Sequence, residues 1–329
     1  MKRQRFLRAA LGLGALALLG GASPAASALL WRRRTLLGFV TMLTLQAAHE
    51  DEATLERALD AAVAALQRIH AQMNLFDAGS ALSRLNRDAA LETPPPELRE
   101  VLEIAQSVAR ASEGAFDVTV QPLWQVFEAA QRAGGLPAAR DVAAARDRVG
   151  WRDLEVRPQA VRLRRPGMGV TLNGIAQGYA ADRVRQVLQA HGIRHALVDA
   201  GEFAPLGRNA LGQPWGLGIA NPRDASALVA RLASDGRCIA TSADDATSFS
   251  ADHSHHHIFD PRTGYSPPAL ASVTVVADSG AIADALTKVV FVAGPQRAFA
   301  VARQWNVDVL WVDKAGRWQA TPGLRIAAA

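Results

Sequence analysis

The stretch GIAQGYAADRVRQVLQAHGIRHALV, Gly174 to Val198, decides the fold class. It reads as a helix that begins at a glycine and runs to His191, followed by a short β-like run from His195 to Val198. Further short β-like runs come at Trp215 to Ile219, Ala227 to Leu232, Cys238 to Thr241 and Ser272 to Val276. Helices near Ala281 to Phe291 and Gln296 to Trp305, and a strand from Val307 to Val312, close the chain. Strands and helices are mixed without regular βαβ alternation, so the expected class is α+β.

Toward the N-terminus, helical periodicity is strongest from Glu52 to Met73. There Leu55, Leu59, Ala62, Val63, Leu66 and Ile69 share one face and leave Glu56, Arg57 and Gln67 for solvent. A second helix follows Pro94-Pro95-Pro96, with Leu98, Val101, Leu102, Ala105 and Val108 on its apolar side. Asp77 to Arg87 between them reads as a polar loop, and Thr35 to Gln46 as a buried first strand. Gly134 to Pro137 reads as a loop, and Trp151 to Arg165 as a two-stranded hairpin, because Leu154, Val156, Val161 and Leu163 alternate.

Residues 1–28 have the form of an export signal. Lys2, Arg3, Arg5 and Arg8 precede an apolar run from Ala9 to Leu19, and Ala26-Ser27-Ala28 offers a small-residue cleavage site. The apolar run is short for a membrane span. Arg3-Gln4-Arg5-Phe6-Leu7 resembles a twin-arginine signal but lacks adjacent arginines, so the Sec and Tat routes both stay open. Loss of the signal removes four cations and no anions, which lowers the formal net charge from +5 to +1. Arg32, Arg33 and Arg34 then form the one tight basic run near the start, read as a solvated terminus.

No footprint of clustered bases and interleaved aromatics points to nucleic acid. Cys238 is the single cysteine, which excludes an intramolecular disulfide and a lipid-anchored cysteine at the cleavage site. The expectation is a soluble periplasmic protein, not a lipoprotein. Residues 29–329 form one domain of two intimately joined lobes, without internal repeats.

The densest chemistry lies in HHHIFDPRTG, His255 to Gly264, and in ADALT, Ala283 to Thr287. Asp284, Thr287 and Lys288 fall on one helical face. An Asp–Thr oxygen pair suits Mg²⁺ beside substrate phosphates, and an Asp–Lys surface pair is the plainer alternative. His253, His255, His256 and His257 invite a zinc reading, but adjacent strand residues point to alternate faces, so a surface-loop histidine run is the plainer reading, with a single histidine acting as base or ligand between the two. Asp260-Pro261-Arg262-Thr263-Gly264 forms a turn that would aim His257 and Arg262, and arginine can grip phosphate bidentately. Gly174 to Gly178 at a helix start offers amides and a positive dipole end to an anion. Gly114-Ala115-Phe116-Asp117 suits either a flat ring or the core.

Taken in order, these pieces resemble the ApbE family of FAD:protein FMN transferases, from about Leu37 to Val312. The shared elements are MNLFDAGSALSRLN (Met73 to Asn86), GAFDVTVQPLW (Gly114 to Trp124), NGIAQGYAADRV (Asn173 to Val184), HALVDAGE (His195 to Glu202), IATS (Ile239 to Ser242), HHHIFDPRTG and ADALT. The resemblance implies an ApbE-like α+β flavin-transferase fold and Mg²⁺-dependent transfer of FMN from FAD to a Thr or Ser hydroxyl of a partner protein, with release of AMP. It implies an acceptor with a periplasmic Thr or Ser, a membrane redox subunit. By the same resemblance, Leu37, Ala115, Phe116, Asp117, Thr171, Gln177, Ile258 and Arg262 would meet the flavin nucleotide. His257 would be the base, Asp284 would be catalytic, and Asp284, Thr287, Lys288 and the Gly174 carbonyl would stand at the metal.

The chain departs from the family pattern in several places. Where the family has a helix start like DLGGIAKG, Thr171 to Gly178 lacks a carboxylate, a glycine and a lysine. Lys288 stands where a threonine four residues after the aspartate is expected, and its ammonium can displace a metal by neutralising Asp284. An early Met-Gly-Thr element is reduced to Leu37-Gly38-Phe39, and paired glycines after Val198 to Gly201-Glu202. These changes define the alternative expectation: a periplasmic protein that binds FAD without cleaving it, with Lys288 in place of the metal.

Overall fold

The computed structural model describes residues 29–39 and 41–327. The expected export signal lies outside the described residues. In chain order the elements are β1 (Leu30–Gly38), β2 (Thr41–His49), α1 (Glu52–Met73), α2 (Ala81–Asp88), β3 (Ala90–Glu92), α3 (Pro96–Ala111), α4 (Gln121–Arg132) and α5 (Ala139–Arg146). Then come β4 (Leu154–Val156), β5 (Ala160–Leu163), α6 (Ala176–Ala190), β6 (His195–Asp199), β7 (Phe203–Leu206), β8 (Gly216–Asn221) and β9 (Asp224–Ala233). The last are β10 (Cys238–Ala243), β11 (Leu270–Ala277), α7 (Gly280–Ala293), α8 (Pro295–Trp305), β12 (Asp308–Asp313) and β13 (Trp318–Ala320).

The main sheet has the order β1-β2-β6-β7-β10-β11-β12-β13, and every neighbouring pair in it is antiparallel. One face carries Leu43, Leu45, Ala196, Val198, Ala240, Val273, Val275 and Val309 into a core shared with α1, α3, α6, α7 and α8. The other face presents Ile239, Val276, Leu310 and Val312 to Leu217, Ile219, Ala230 and Leu232 of the β8–β9 ribbon. Period-2 alternation therefore feeds two cores from the same strands. It explains why β11 is buried along its whole length, unlike an antiparallel strand with one solvated face.

A third cluster joins α4 and α5 to the loop between β10 and β11. Phe127 of α4 lies 5.3 Å from Phe249, 5.2 Å from Phe259 and 6.1 Å from Tyr265, ring centre to ring centre. Such aromatic packing anchors a long loop that contains no regular element of its own.

Several expectations are corrected. The first strand is two, because the chain turns at Phe39, whose φ is 48°, and β1 and β2 pair as a hairpin. The polar loop after α1 contains α2, capped by Ser80, which accepts from the Ser83 amide at 3.0 Å. Arg32 and Arg34 are not a solvated terminus: they lie in β1 and pair with Glu52 and Glu56 of α1. The helices α4 and α5 and the strand β7 are additions to the sequence reading.

Close approach of α6 and α7 depends on two glycines. A Cβ on Gly178 would lie 2.0 Å from the Gly280 carbonyl oxygen, and one on Gly280 would lie 2.6 Å from the Gly178 oxygen. Alanine is favoured over glycine within a helix by about 1 kcal/mol. Gly178→Ala is nevertheless expected to destabilise the protein by about 1–3 kcal/mol, as overpacking does. A urea denaturation midpoint equal to or above that of the wild type would refute this contact.

Candidate functional site

The start of α6 and the start of α7 bind one another through carboxylates. Helix α6 has no side-chain cap at Ile175. Instead Asp284, one turn into α7, accepts from the Gly178 amide through Oδ2 at 3.3 Å. In return Asp182 of α6 accepts from the Gly280 and Ala281 amides at 2.7 and 3.0 Å and from Ser279 Oγ at 2.7 Å. Each helix thus supplies the anion that the other's unsatisfied N-terminal amides need.

Asp284 is buried, 1% exposed, and its second oxygen is also taken. Lys288 Nζ lies 2.5 Å from Asp284 Oδ1 and 3.1 Å from the Asp284 carbonyl oxygen. Thr287 Oγ1 donates to the same carbonyl at 2.7 Å and lies 2.7 Å from Ser242 Oγ of β10. The helical spacing read from the sequence therefore does put Asp284, Thr287 and Lys288 together.

Two further carboxylates follow, Glu202 near Asp284 and Asp199 near Glu202. Glu202, in the turn between β6 and β7, is buried and accepts from the Thr241 amide through Oε2 at 3.0 Å. Burial, and then the Asp284 charge, push its carboxyl well above the ordinary value, while Lys288 and the Thr241 amide pull the other way. Asp199, at the end of β6, is pushed up to about 6 by burial, against the Gly201 amide bonded at 3.1 Å and the charge of Arg33. Glu202 and Asp199 are the carboxylates that sequence reasoning missed. Their only signal was their place in the HALVDAGE element, because nothing in the spacing links them to Asp284.

Gly174, just before α6, faces this group. A Cβ there would lie 3.1 Å from Lys288 Cε and 3.5 Å from Phe116 Cε2. Phe116 is held by its amide, which donates to Ser112 Oγ at 3.2 Å, and the neighbouring Ala115 amide donates to the Ser112 carbonyl at 3.1 Å. Asp117 is buried and engaged in fixing the loop: Oδ1 accepts from the Thr119 amide and hydroxyl at 2.8 and 2.7 Å, and Oδ2 from the Trp151 amide at 2.9 Å. Thr171 donates its amide to the Val118 carbonyl at 2.8 Å, which ties the two flavin-assigned segments together. Gln177 packs on Gly201, whose φ of +94° and whose missing Cβ, 2.0 Å from Gln177 Nε2, both require glycine.

The histidine run does not act as one unit. His256 is buried, with Nε2 3.3 Å from the Pro267 carbonyl and its ring 5.8 Å from Phe291 of α7, and burial lowers it to about 3. It fixes the loop to α7. His257 donates its amide to the Thr247 carbonyl at 3.0 Å and sets Nδ1 3.2 Å from that same oxygen. A carbonyl can only accept, so in this contact Nδ1 is the donor. The Ile258 amide lies beside this residue and donates to His256 Nδ1 at 3.3 Å.

Two assigned residues stand apart from the group. Leu37 is 79% exposed on β1, with β2, β6 and β7 between it and β10. Arg262 does not point an open fork at a phosphate: its guanidinium is bonded twice to Asp260 in its own turn, at 2.9 Å each.

The donor set does not fit a divalent ion as it stands. Among the described residues no group of three or more His, Cys, Asp or Glu side chains is placed to hold a metal. Both Asp284 oxygens are engaged, and the Lys288 ammonium lies where a cation would meet Oδ1. An ammonium about 4 Å from a doubly charged ion is repelled by about 8 kcal/mol at an effective dielectric of 20.

A sequence model of the ApbE family matches residues 38–311. An FAD:protein FMN transferase from Klebsiella pneumoniae is 31% identical, with 94% of this chain and 93% of the relative covered. Another from Vibrio cholerae is 32% identical over 80% of each chain. The solved flavin transferase ApbE from Vibrio cholerae superposes with a TM-score of 0.75 at 26% identity, covering 89% of this chain and 97% of that one. The ApbE protein from Thermotoga maritima does so with a TM-score of 0.78 at 24% identity, a likeness of fold. Fold and site define an α+β transferase. The chain belongs to the ApbE family, as its ordered motifs imply.

The raised Asp199 carboxyl has a testable sign. Its stabilising contribution is complete below its ordinary value of 3.8 and is lost as pH rises through about 6. Asp199→Asn is expected to flatten the loss of stability between about pH 4 and pH 6, by up to about 3 kcal/mol, in urea midpoints measured against pH. An identical pH profile in the variant would remove Asp199 from this role.

Proposed function

We propose that this protein is an FAD:protein FMN transferase that links FMN to a Thr or Ser hydroxyl of an acceptor protein and releases AMP. The observation that carries the reading is the convergence of Phe116, Gly174, Asp284, Thr287 and Lys288 at the start of α6 in a chain of this family. The chain matches the relatives named above, which are FAD:protein FMN transferases, over most of their length.

In this reading Phe116 and the Thr171 segment border the flavin, and the start of α6 with Lys288 faces the pyrophosphate. The acceptor hydroxyl oxygen attacks the FMN-side phosphorus. A phosphorus–oxygen bond forms there while the bond to the bridging oxygen breaks, and AMP leaves with that electron pair. His257 Nε2 takes the hydroxyl proton. Positioning and charge neutralisation carry such a transfer. Mg²⁺, which the motif resemblance implies, has no part in these steps, because the residues around Asp284 do not fit it. The Lys288–Asp284 pair supports a second reading, in which FAD is held without cleavage. Export through residues 1–28 to the periplasm, toward an acceptor on a membrane redox subunit, belongs to the same proposal.

Incubation with FAD and an acceptor domain tests it: flavin fluorescence is expected to persist on the denatured acceptor, with AMP released. FAD bound tightly with neither label nor AMP would favour the second reading. His257→Gln is expected to lower the single-turnover transfer rate by about 10²–10⁴-fold, with the loss in rate rather than in FAD affinity. An unchanged rate would dismiss His257 as the base.

A further inference from the structure

The least expected group in the site is the ammonium of Lys288. Its stem is confined, since a Cβ on Gly174 would already sit 3.1 Å from Cε, so glycine at 174 leaves the room that the lysine uses. Its head makes two bonds, to Asp284 Oδ1 and to the Asp284 carbonyl. An ammonium has three N–H donors, so one remains. The lysine side chain is 16% exposed while that of Asp284 is 1% exposed, so within the pair it is the lysine that solvent reaches.

Charge gives this arrangement its consequence. A pyrophosphate dianion facing Asp284 alone would meet a buried like charge. With Lys288 in place the Asp284 carboxylate is neutralised at short range, and its other oxygen is satisfied by the Gly178 amide.

We propose that Lys288 cancels from within the chain the Asp284 charge that the FAD pyrophosphate would otherwise meet, and offers it the remaining N–H, so that FAD binds without a divalent cation. The inference rests on the flavin reading above and deepens it. It also accounts for the poor fit of the donor set to Mg²⁺: the cation site of this chain is covalently filled.

FAD binding to the full chain, followed by flavin fluorescence in excess EDTA and in Mg²⁺, tests the proposal. The wild-type Kd is expected to agree within about twofold between the two conditions. Lys288→Thr is expected to weaken binding by about tenfold or more in EDTA and to regain it in Mg²⁺, whereas Lys288→Met should lose it in both. Gly174→Ala keeps the charge but crowds the stem, and is expected to weaken EDTA binding by about threefold. A wild-type protein that needs Mg²⁺ to bind FAD overturns the proposal and leaves the flavin reading intact. So does a folded Lys288→Thr protein that binds as the wild type in EDTA. Absence of FAD binding in both conditions overturns the flavin reading and this inference together. Should Lys288→Thr fail to fold, as judged by far-ultraviolet circular dichroism, the wild-type comparison decides alone.

Discussion

The structure turns on the exchange of carboxylates between α6 and α7. Two helix N-termini meet almost backbone to backbone at Gly178 and Gly280, an arrangement that brings two positive dipole ends together. It is tolerable because Asp182 of α6 binds the first amides of α7 and Asp284 of α7 binds the Gly178 amide of α6. The glycines permit the approach and the carboxylates neutralise it. Because Asp284 serves as a cap, its position is set by the fold, and the groups around it inherit that precision.

The sheet places the remaining members. β7 and β10 are neighbours, so the Glu202 turn and Ser242 are delivered to the same end of the sheet as α7. His256 joins the histidine loop to Phe291 of α7, and the Phe127 cluster holds that loop from its other side. A loop with no helix or strand of its own thereby holds His257 against the Thr247 carbonyl. Burial of Glu202 near Asp284, and of Asp199 near Glu202, concentrates carboxylates that retain their protons more readily than exposed ones.

Much of the fold was legible because strong periodicity outweighs local exceptions. Glu52 to Met73 and the helix after Pro94-Pro95-Pro96 appear where the spacing of their apolar residues puts them. The short elements were less legible. Ser80 caps α2 within a stretch whose polarity reads as a loop, and the turn at Phe39 adopts a positive φ that nothing in its side chain announces. In the site, Asp284, Thr287 and Lys288 were legible together since helical spacing alone makes them neighbours. For Arg262 nothing in the sequence signalled that Asp260, two residues away, satisfies its fork locally.

The amino-acid sequence by itself determined the family, the α+β class and the local sets, since ordered motifs and periodicities are properties of the chain. Tertiary structure alone decided that Glu202 joins Asp284, that Gln177 faces Gly201 and that Asp284 caps a helix more than 100 residues earlier in the chain. It also decided that Lys288 occupies the carboxylate oxygen a metal would use. These are long-range contacts between groups of unlike local pattern, and no periodicity encodes the distance between them. What selects them is the need of buried charges and unpaired amides for partners, which can be met only once the two helices have packed.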